Sequence, residues 1–326
     1  MTAASRTYWL TEPCRIRRED NSVRIERADS SPVHVPVTDI RDLVVFDHVD
    51  INTSAISLLS RHGVSVHVLD HYGNYAGTVT PGEDMSSAEV VRRQVTLTAD
   101  PGARLAVARG LVAATAANVR WALDTDLLDG PLNRLADQLA ACADTGQVMG
   151  VEGNFRRTAW EVLDTLLPPW LRMSGRSRRP PANAGNAFIS YVNSITYARV
   201  LTALRCTPLH PAIGFLHADT DRRRNTLALD IAEPFKPLFA ERLLRRAAAQ
   251  KTLTEADFET GVGHASLSVQ GRKKVAELIR TELAVTVHHR SLHRKVSYEE
   301  IIHLEALKLV RLCLEGSTYK PFRPWW

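Results

Sequence analysis

The chain has 326 residues, of which 44% are apolar and 24% are charged, the composition of a globular protein long enough for two domains. Its formal net charge of +5 is too small to predict nucleic-acid binding from global charge, so such an affinity has to come from local basic patches. The four cysteines lie far apart with no CxxC pair, which argues against a disulfide framework.

The N-terminal stretch MTAASRTYWL lacks a basic region followed by an apolar one, so it predicts no signal peptide. No apolar run approaches the roughly 20 residues that a membrane-spanning helix needs. We therefore expect a soluble cytoplasmic protein with reduced cysteines and no membrane partner.

Residues 1–84 are predicted to form a small, mainly β domain. Residues 15–27 alternate around a polar turn at Asp20 and Asn21, which is the pattern of a β-hairpin. Asn52 or Thr53 is placed to cap a short helix that ends before Gly63. Short apolar or β-branched runs predict further strands over residues 33–37, 43–46, 64–69 and part of 71–81.

Residues 85–326 are predicted to form a larger, all-α domain, which follows a breaker-rich linker over residues 80–87. Apolar residues recur at three- and four-residue steps over residues 104–123. Ser297 and Glu300 have the spacing of a capping box. Further helices are predicted over residues 132–142, 151–167, 186–204, 226–250, 275–287 and 297–314. The predicted fold class is α+β.

Three separate segments of the predicted helical domain carry candidate metal ligands. Glu152 lies in the first turn of a predicted helix, His217 follows an apolar triplet, and Asp230 and Glu233 share one helix face at i and i+3. Taken singly, each is more simply a helix-start acid, a core histidine or a solvated face. Together they form a mixed carboxylate and imidazole set suited to Mg²⁺ or Mn²⁺.

Basic residues flank these acids in the sequence. A cation beside a carboxylate metal site is what phosphodiester chemistry requires, because the metal polarises a phosphoryl oxygen while arginine neutralises the nucleic-acid backbone. Each cluster alone is more often a solvated face. The residues that we expect to bind DNA are Arg176, Arg178, Arg179, Arg222, Arg223, Arg224 and Lys236.

Three stretches have a recognisable order: VMGVEGNFRRTAW (148–160), RRPPANAGNAFISYVNSITY (178–197) and GFLHADTDRRRNTLALDIAEPFKP (214–237). In this order the chain resembles the CRISPR-associated integrase and endonuclease of the spacer-acquisition module, closest to its type I, I-B-like branch. The segment FDHVDINTSAISLLSRHGVSVHVLDHYGNYAG and the ending YKPFRPWW resemble it as well. The resemblance runs nearly end to end.

The resemblance implies roles for individual residues. Glu152, His217 and Glu233 match the family's catalytic metal ligands. Asp230 matches an auxiliary acid one turn before Glu233, and Asn186 lies on the asparagine-rich helix near the site. The family usually has arginine where Lys236 stands, a change that loses bidentate geometry if this side chain contacts phosphate.

The resemblance also implies an activity and partners. The activity is insertion of captured DNA fragments into the CRISPR repeat array, by attack of a 3′-hydroxyl on a phosphodiester, and cleavage of branched DNA at the same site. The partners are double-stranded and branched DNA, a second copy of the chain joined through the β domain, and a small CRISPR-associated nuclease. We expect strand 64–69 to be an edge that pairs in the dimer.

One alternative stays open on the residues alone, namely a non-catalytic DNA-binding scaffold in which the acid–histidine set is structural. A helical di-iron protein is suggested by the Glu-x-x-His spacing of Glu300 and His303. That architecture needs two such motifs, and the sequence has one copy, so we set it aside.

Overall fold

A computed structural model describes residues 6–81, 87–217 and 225–326. Residues 6–81 form eight strands, one α-helix and a short 3₁₀ helix, Val37–Asp39. Their bounds are β1 Arg6–Leu10, β2 Arg15–Glu19, β3 Ser22–Arg27, β4 Ser30–Pro36, β5 Ile40–Phe46, β6 Asp50–Ile51, α1 Thr53–Arg61, β7 Ser65–Leu69 and β8 Tyr75–Val79.

The strands form two four-stranded sheets. The first has the order β1-β5-β7-β8, in which only β7 and β8 pair antiparallel, and the second has the order β4-β3-β2-β6. Ile16, Val23 and Ile25 of the second sheet point into a core shared with Leu58 and Leu59 of α1. Alternation along the strands thus buries one face of the hairpin.

The predicted hairpin, strands and helix of this region are confirmed, but two strands were not predicted. Asn52 is the residue that caps α1, since its side chain accepts a hydrogen bond from the Ala55 amide at 2.9 Å. β1 and β6 were missed. The expectation that strand 64–69 is an edge was wrong, because β7 lies between β5 and β8.

The rest of the chain is mainly helical, and its helices surround one large apolar core. The central helix α6 is buried on nearly all sides, as expected for a helix without a polar face. The bounds are α2 Ala88–Ala99, α3 Pro101–Leu123, α4 Asp129–Ala141, α5 Thr145–Thr165, α6 Ala184–Arg205, α7 Thr226–Ala232, α8 Arg242–Ala249, α9 Val269–Ala284 and α10 Tyr298–Glu315.

The structure confirms the α+β class, with strands first and helices after, but the helical part is not all-α. It contains two short hairpins, formed by β9 Phe258–Gly261 with β10 His264–Leu267 and by β11 Thr286–His289 with β12 Arg294–Ser297. Each strand has four residues, too few for a clear alternation. The predicted boundary at residues 84 and 85 lies within 82–86, outside the described residues.

The helix predicted over residues 226–250 is interrupted. Pro234 and Pro237 lack the amide hydrogen that a regular helix needs, and α7 therefore ends just before Glu233. A π-helical turn, Pro237–Glu241, connects it to α8. Among the described helices, none is long and apolar enough to cross a membrane.

A buried polar cluster joins the first sheet to α6. Asp42 of β5 and Arg199 of α6 form an ion pair that is almost completely buried, with Nη1 of Arg199 donating to Oδ1 of Asp42 at 3.0 Å. Thr202 donates to Oδ2 of Asp42 at 2.9 Å, and His67 Nε2 lies 2.7 Å from the Thr202 hydroxyl. An ion pair and hydrogen bonds between buried polar groups therefore tie the sheet to the helices.

Candidate functional site

A cavity of about 1700 Å³ opens between the edge of the first sheet and the helical region. Its walls come from β8, α5, α6, α7 and the loop that precedes α6. The cavity is lined by both signs of charge. Among its lining residues are Glu152, Arg156, Arg157, Arg176, Arg178, Arg179, His217, Glu233 and Lys236.

Glu152 lies within α5, not at its start. Asp144 caps this helix by accepting a hydrogen bond from the Gln147 amide at 2.8 Å, so the helix begins at Thr145, and Glu152 follows two turns later. The prediction that this helix starts at residue 151 was wrong, because residues 145–150 already belong to it. Burial raises the pKa of Glu152, and the nearby Glu233 carboxylate raises it further.

His217 is held by Asp230 of α7. The Nδ1 atom of the imidazole lies 2.7 Å from Oδ1 of Asp230. An ionised carboxylate only accepts hydrogen bonds, so Nδ1 carries the proton, and the other ring nitrogen, Nε2, is left as an acceptor. This is the arrangement that carboxylates give to metal-binding histidines.

Asp230 is fully buried and occupied by hydrogen bonds. Its carboxylate also accepts the backbone amides of Phe215, Leu216 and His217, at 2.5, 2.9 and 3.0 Å. Gly214 allows this close approach, since a Cβ there would lie 2.8 Å from Oδ2 of Asp230. Asp230 thus holds the segment before His217 and orients its ring.

Glu233 follows α7 directly and forms an ion pair with Lys236 three residues later. Burial favours a raised pKa, but the charge of the Lys236 ammonium and its hydrogen bond outweigh this effect and bring the pKa of Glu233 to about 2. Glu233 is therefore a buried, ionised carboxylate whose present counterion is an ammonium group. In this structure Lys236 contacts an acid inside the cavity.

Sequence reasoning missed a second buried acid and its arginine. Arg156, one turn after Glu152, forms an ion pair with Glu241 at 2.6 Å, and its Nε lies 3.9 Å from Oε1 of Glu152. Its guanidinium also lies over the Trp160 ring, 4.2 Å from the centroid. Only 11% of the Arg156 side chain is exposed, so Arg156 is not part of a solvated helix face.

Asn186 organises the basic loop that forms one rim of the cavity. Its side chain is completely buried, accepts hydrogen bonds from Arg176 and the Ser177 amide, and donates to the Met173 and Gly175 carbonyls. All its hydrogen bonds are to the loop and to the helix start. Asn186 supports the site from outside the cavity.

The arginines of this loop differ in their surroundings. Arg176 donates to Asn186 and to the Ser190 hydroxyl at 2.9 Å each, and burial lowers its pKa to about 10. Arg178 and Arg179 are exposed on the cavity rim and form no ion pair with any residue in 6–81, 87–217 or 225–326. The loop thus offers two cations to an anionic ligand, while Arg176 stabilises the loop.

The arginines predicted at positions 222–224 lie outside the described residues. His217 is the last described residue before this gap, and Asn225 the first after it. Within the described part of the chain, no three His, Cys, Asp or Glu side chains already converge on a common point at metal-binding distance. The structure places Glu152, His217 and Glu233 on one cavity, with the Lys236 ammonium beside Glu233.

Comparisons with known proteins show the family of the chain. Residues 7–281 match the family model described as CRISPR associated protein Cas1. The chain belongs to the Cas1 family. It is 33% identical over 325 residues to the CRISPR-associated endonuclease Cas1 3 of Thermodesulfovibrio yellowstonii, covering 98% of this chain and 100% of that relative. The family assigns the chain to the endonucleases and integrases of CRISPR adaptation.

Solved structures share the fold. A Cas1 protein from Thermotoga maritima superposes with a TM-score of 0.88 at 27% identity, covering 98% of this chain and 100% of that one. A casposase bound to its integration product has a TM-score of 0.86 at 20% identity over 97% of this chain and 92% of its own. A Cas6-RT-Cas1–Cas2 complex matches with a TM-score of 0.86 at 19% identity over 99% of this chain and 36% of its own.

Proposed function

We propose that this Cas1 protein is a metal-dependent DNA nuclease and integrase that joins the 3′-hydroxyl of a captured DNA fragment to a phosphodiester at a CRISPR repeat boundary. The observation that carries the proposal is that Glu152, His217 and Glu233, from three segments of the chain, line one cavity with a basic rim. Family membership supports the same reaction class.

The residues that would hold the ion are Glu152, His217 through Nε2, and Glu233. Two carboxylates and a neutral imidazole are a donor set that fits Mg²⁺ or Mn²⁺. The charge distribution favours a cation too, since Glu152 and Glu233 are close enough to raise the pKa of Glu152. When bound, such an ion polarises a phosphoryl oxygen and lowers the pKa of an attacking hydroxyl.

The remaining residues bind and orient. Asp230 keeps the His217 proton on Nδ1, so that Nε2 stays available. Arg156 links Glu152 to Glu241 and limits the rotamers that the Glu152 carboxylate can adopt. Arg178 and Arg179 neutralise the phosphates of a DNA strand that enters the cavity. Lys236 is close enough to exchange its contact with Glu233 for a phosphate.

DNA binding extends beyond the cavity in this proposal. Arg176, Arg178, Arg179, Lys236 and the arginines at 222–224 form the DNA-binding set, with Arg176 acting through the loop that it stabilises. The solved casposase carries its integration product on the same fold. The substrates are double-stranded protospacer DNA and branched repeat DNA.

We further propose a homodimer through the β domain and a complex with a small CRISPR-associated nuclease, acting in the cytoplasm. A complex of Cas1-fold and Cas2 chains supports the second partner. The outer strands of the two sheets are β1, β8, β4 and β6. β4 is the one of them with mostly exposed residues and seven positions, so it replaces strand 64–69 as the expected pairing edge.

A strand-transfer assay tests the function. Purified protein is incubated with a protospacer duplex and a supercoiled plasmid that carries the repeat, with and without Mn²⁺. We expect joining only with the ion, and a loss of at least about 100-fold in Glu152→Gln, because losing several kcal/mol of barrier lowering costs tenfold for each ~1.4 kcal/mol. Glu259→Gln, an exposed acid on β9, is the matched control.

Two results would overturn the proposal. One is joining by Glu152→Gln at the parent's rate, and the other is joining by the parent protein in a metal chelator. The scaffold alternative predicts a third pattern, in which the parent, Glu152→Gln and Glu259→Gln all bind DNA with equal affinity and none of them joins it.

A further inference from the structure

The C-terminal tail, residues 318–326, packs against the turn that follows Glu233. The buried ring of Phe322 stacks on Phe235, with centroids 4.6 Å apart and planes 6° from parallel. The Nδ2 atom of Asn118 in α3 donates to the Phe322 carbonyl at 3.0 Å and to the Pro234 carbonyl at 2.7 Å. One buried amide therefore connects the tail to the residue that directly follows Glu233.

α10 anchors the tail through Glu305, which is completely buried. Oε1 of Glu305 accepts the Tyr319 hydroxyl at 2.6 Å and the Phe322 amide at 2.9 Å. Oε2 accepts from Lys308, whose ammonium also donates to the Lys320 carbonyl at 3.1 Å. Since a buried carboxylate without partners is strongly unfavourable, these contacts hold the tail in one position.

The turn at Glu233 depends on contacts from outside its own helix. Pro234 and Pro237 donate no amide hydrogen, so regular helix hydrogen bonds are interrupted on both sides of Phe235. The Pro234 carbonyl is bonded by the Asn118 side chain instead. Phe235, two residues after Glu233, packs on the tail, while Glu233 itself lines the cavity.

We propose that the C-terminal tail is a positioning strap for Glu233, acting through Phe322, Phe235 and the Asn118 amide. The inference rests on the proposed function, in which Glu233 is a metal ligand. It assigns to residues at the end of the chain a role in metal affinity. Phe322 and Asn118 are positioning residues, because they act on the ion only through Glu233.

Phe322→Leu and a chain that ends at Ser317 test the strap. Mn²⁺ binding is measured by calorimetry without DNA, and hydrogen exchange is followed in peptides that span residues 229–240. We expect about tenfold weaker Mn²⁺ binding, the usual effect of losing a residue that supports a metal ligand, and faster exchange at the Glu233 and Phe235 amides. Adding a peptide of residues 318–326 should restore both in the shortened chain.

Phe258→Leu is the matched control, because its ring is also buried and packs on Trp170, outside the Glu233 turn. It should lower the melting temperature about as much as Phe322→Leu and leave Mn²⁺ binding unchanged. An equal loss of Mn²⁺ binding in Phe258→Leu would attribute the effect to general destabilisation and overturn the strap. If the shortened chain does not fold, the comparison of Mn²⁺ binding in Phe322→Leu and Phe258→Leu tests the strap on its own.

Glu233→Gln separates this inference from the proposed function. If Glu233→Gln loses Mn²⁺ binding while Phe322→Leu and the shortened chain bind like the parent, the strap is wrong and the metal site stands. If Glu233→Gln itself binds Mn²⁺ like the parent, the metal site is wrong, and the strap, which has no ligand to position, is wrong with it.

Discussion

Replacing Asp230 by asparagine exchanges one oxygen of the carboxylate that holds His217 for an NH₂ group. The carboxylate accepts four hydrogen bonds, two at each oxygen: the Phe215 and Leu216 amides at Oδ2, and the amide and Nδ1 of His217 at Oδ1. Asparagine keeps one acceptor oxygen and turns the other position into a donor. Two donors of the protein would then face an NH₂ group.

The energetic cost follows from the number of bonds lost. A hydrogen bond to a charged group contributes about 1.5–3 kcal/mol, so losing two should lower the free energy of unfolding of Asp230→Asn by about 3–6 kcal/mol. The group is completely buried, which leaves no water to replace the lost partners. Strand transfer should fall by about 10- to 100-fold, since His217 loses the group that sets its tautomer.

Chemical denaturation of the parent and of Asp230→Asn measures this cost, with Asp137→Asn, an exposed acid on α4, as the control. The control should unfold like the parent. If Asp230→Asn unfolds at the parent's denaturant concentration, its carboxylate does not hold the segment before His217. If it loses stability but joins DNA at the parent's rate, Asp230 does not position His217 for the reaction.

Three further expectations concern the candidate metal ligand His217, the basic rim of the cavity, and the buried His67 between the first sheet and α6. His217→Ala should keep the fold and DNA affinity but lose strand transfer by at least about 100-fold, which a joining assay measures. Arg178→Ala with Arg179→Ala should weaken DNA binding across sequences and reduce the salt slope of the binding constant by about 2. The free energy of unfolding should fall as the pH falls from about 6.5 to 3. The buried His67 should contribute up to about 1.4 kcal/mol per pH unit to this fall.

The sign of this pH dependence follows from burial. Burial lowers the pKa of folded His67 to about 3, whereas the unfolded chain binds this proton below about pH 6.5, so acid favours unfolding in that window. Burial acts to raise the pKa of Asp42, but Arg199 and His67 bring it to about 2, and its contribution is lost below about pH 4. In His67→Gln, the free energy of unfolding should therefore depend less on pH above about pH 4.

Each of these expectations would be contradicted by a different result. Parent-like joining by His217→Ala would remove His217 from the ligand set. An unchanged salt slope in the double arginine variant would mean that the rim of the cavity does not contact phosphates. A curve for His67→Gln identical to the parent's would mean that other groups take up the protons.

Local rules predicted much of the fold because they apply within a few residues. The polar turn at Asp20 and the cap at Asn52 were visible in the sequence, and both are present. Pro234 was also visible in the sequence, but the apolar pattern on both sides of it led to the prediction of one continuous helix over residues 226–250. β1 was missed because its parallel partner, β5, begins 34 residues later, and such pairing leaves no local pattern.

The candidate site was less accessible to residue-by-residue reasoning. Glu152, His217 and Glu233 each looked ordinary. Their residue types suggested a cation site only when taken together, and the family resemblance then implied a role for each. The ion pair of Arg156 and Glu241 joins α5 to the π-helical turn, so no spacing rule could show it. Whether an arginine is buried depends on long-range packing, and for that reason the sequence does not show that Arg156 is buried.

The cluster of Asp42 and Arg199 limits how freely the two regions can be exchanged between homologues. A chimera that keeps α6 but brings a sheet without an acid at position 42 would remove the buried partner of Arg199 and leave Glu299, at 3.3 Å, as its counterion. Breaking a buried ion pair in this way typically costs about 3–5 kcal/mol. β8, from the same sheet, also lines the cavity. The sheet region and the helical region therefore have to be transplanted as a matched pair, and a graft that changes one of them changes the wall against which DNA would lie.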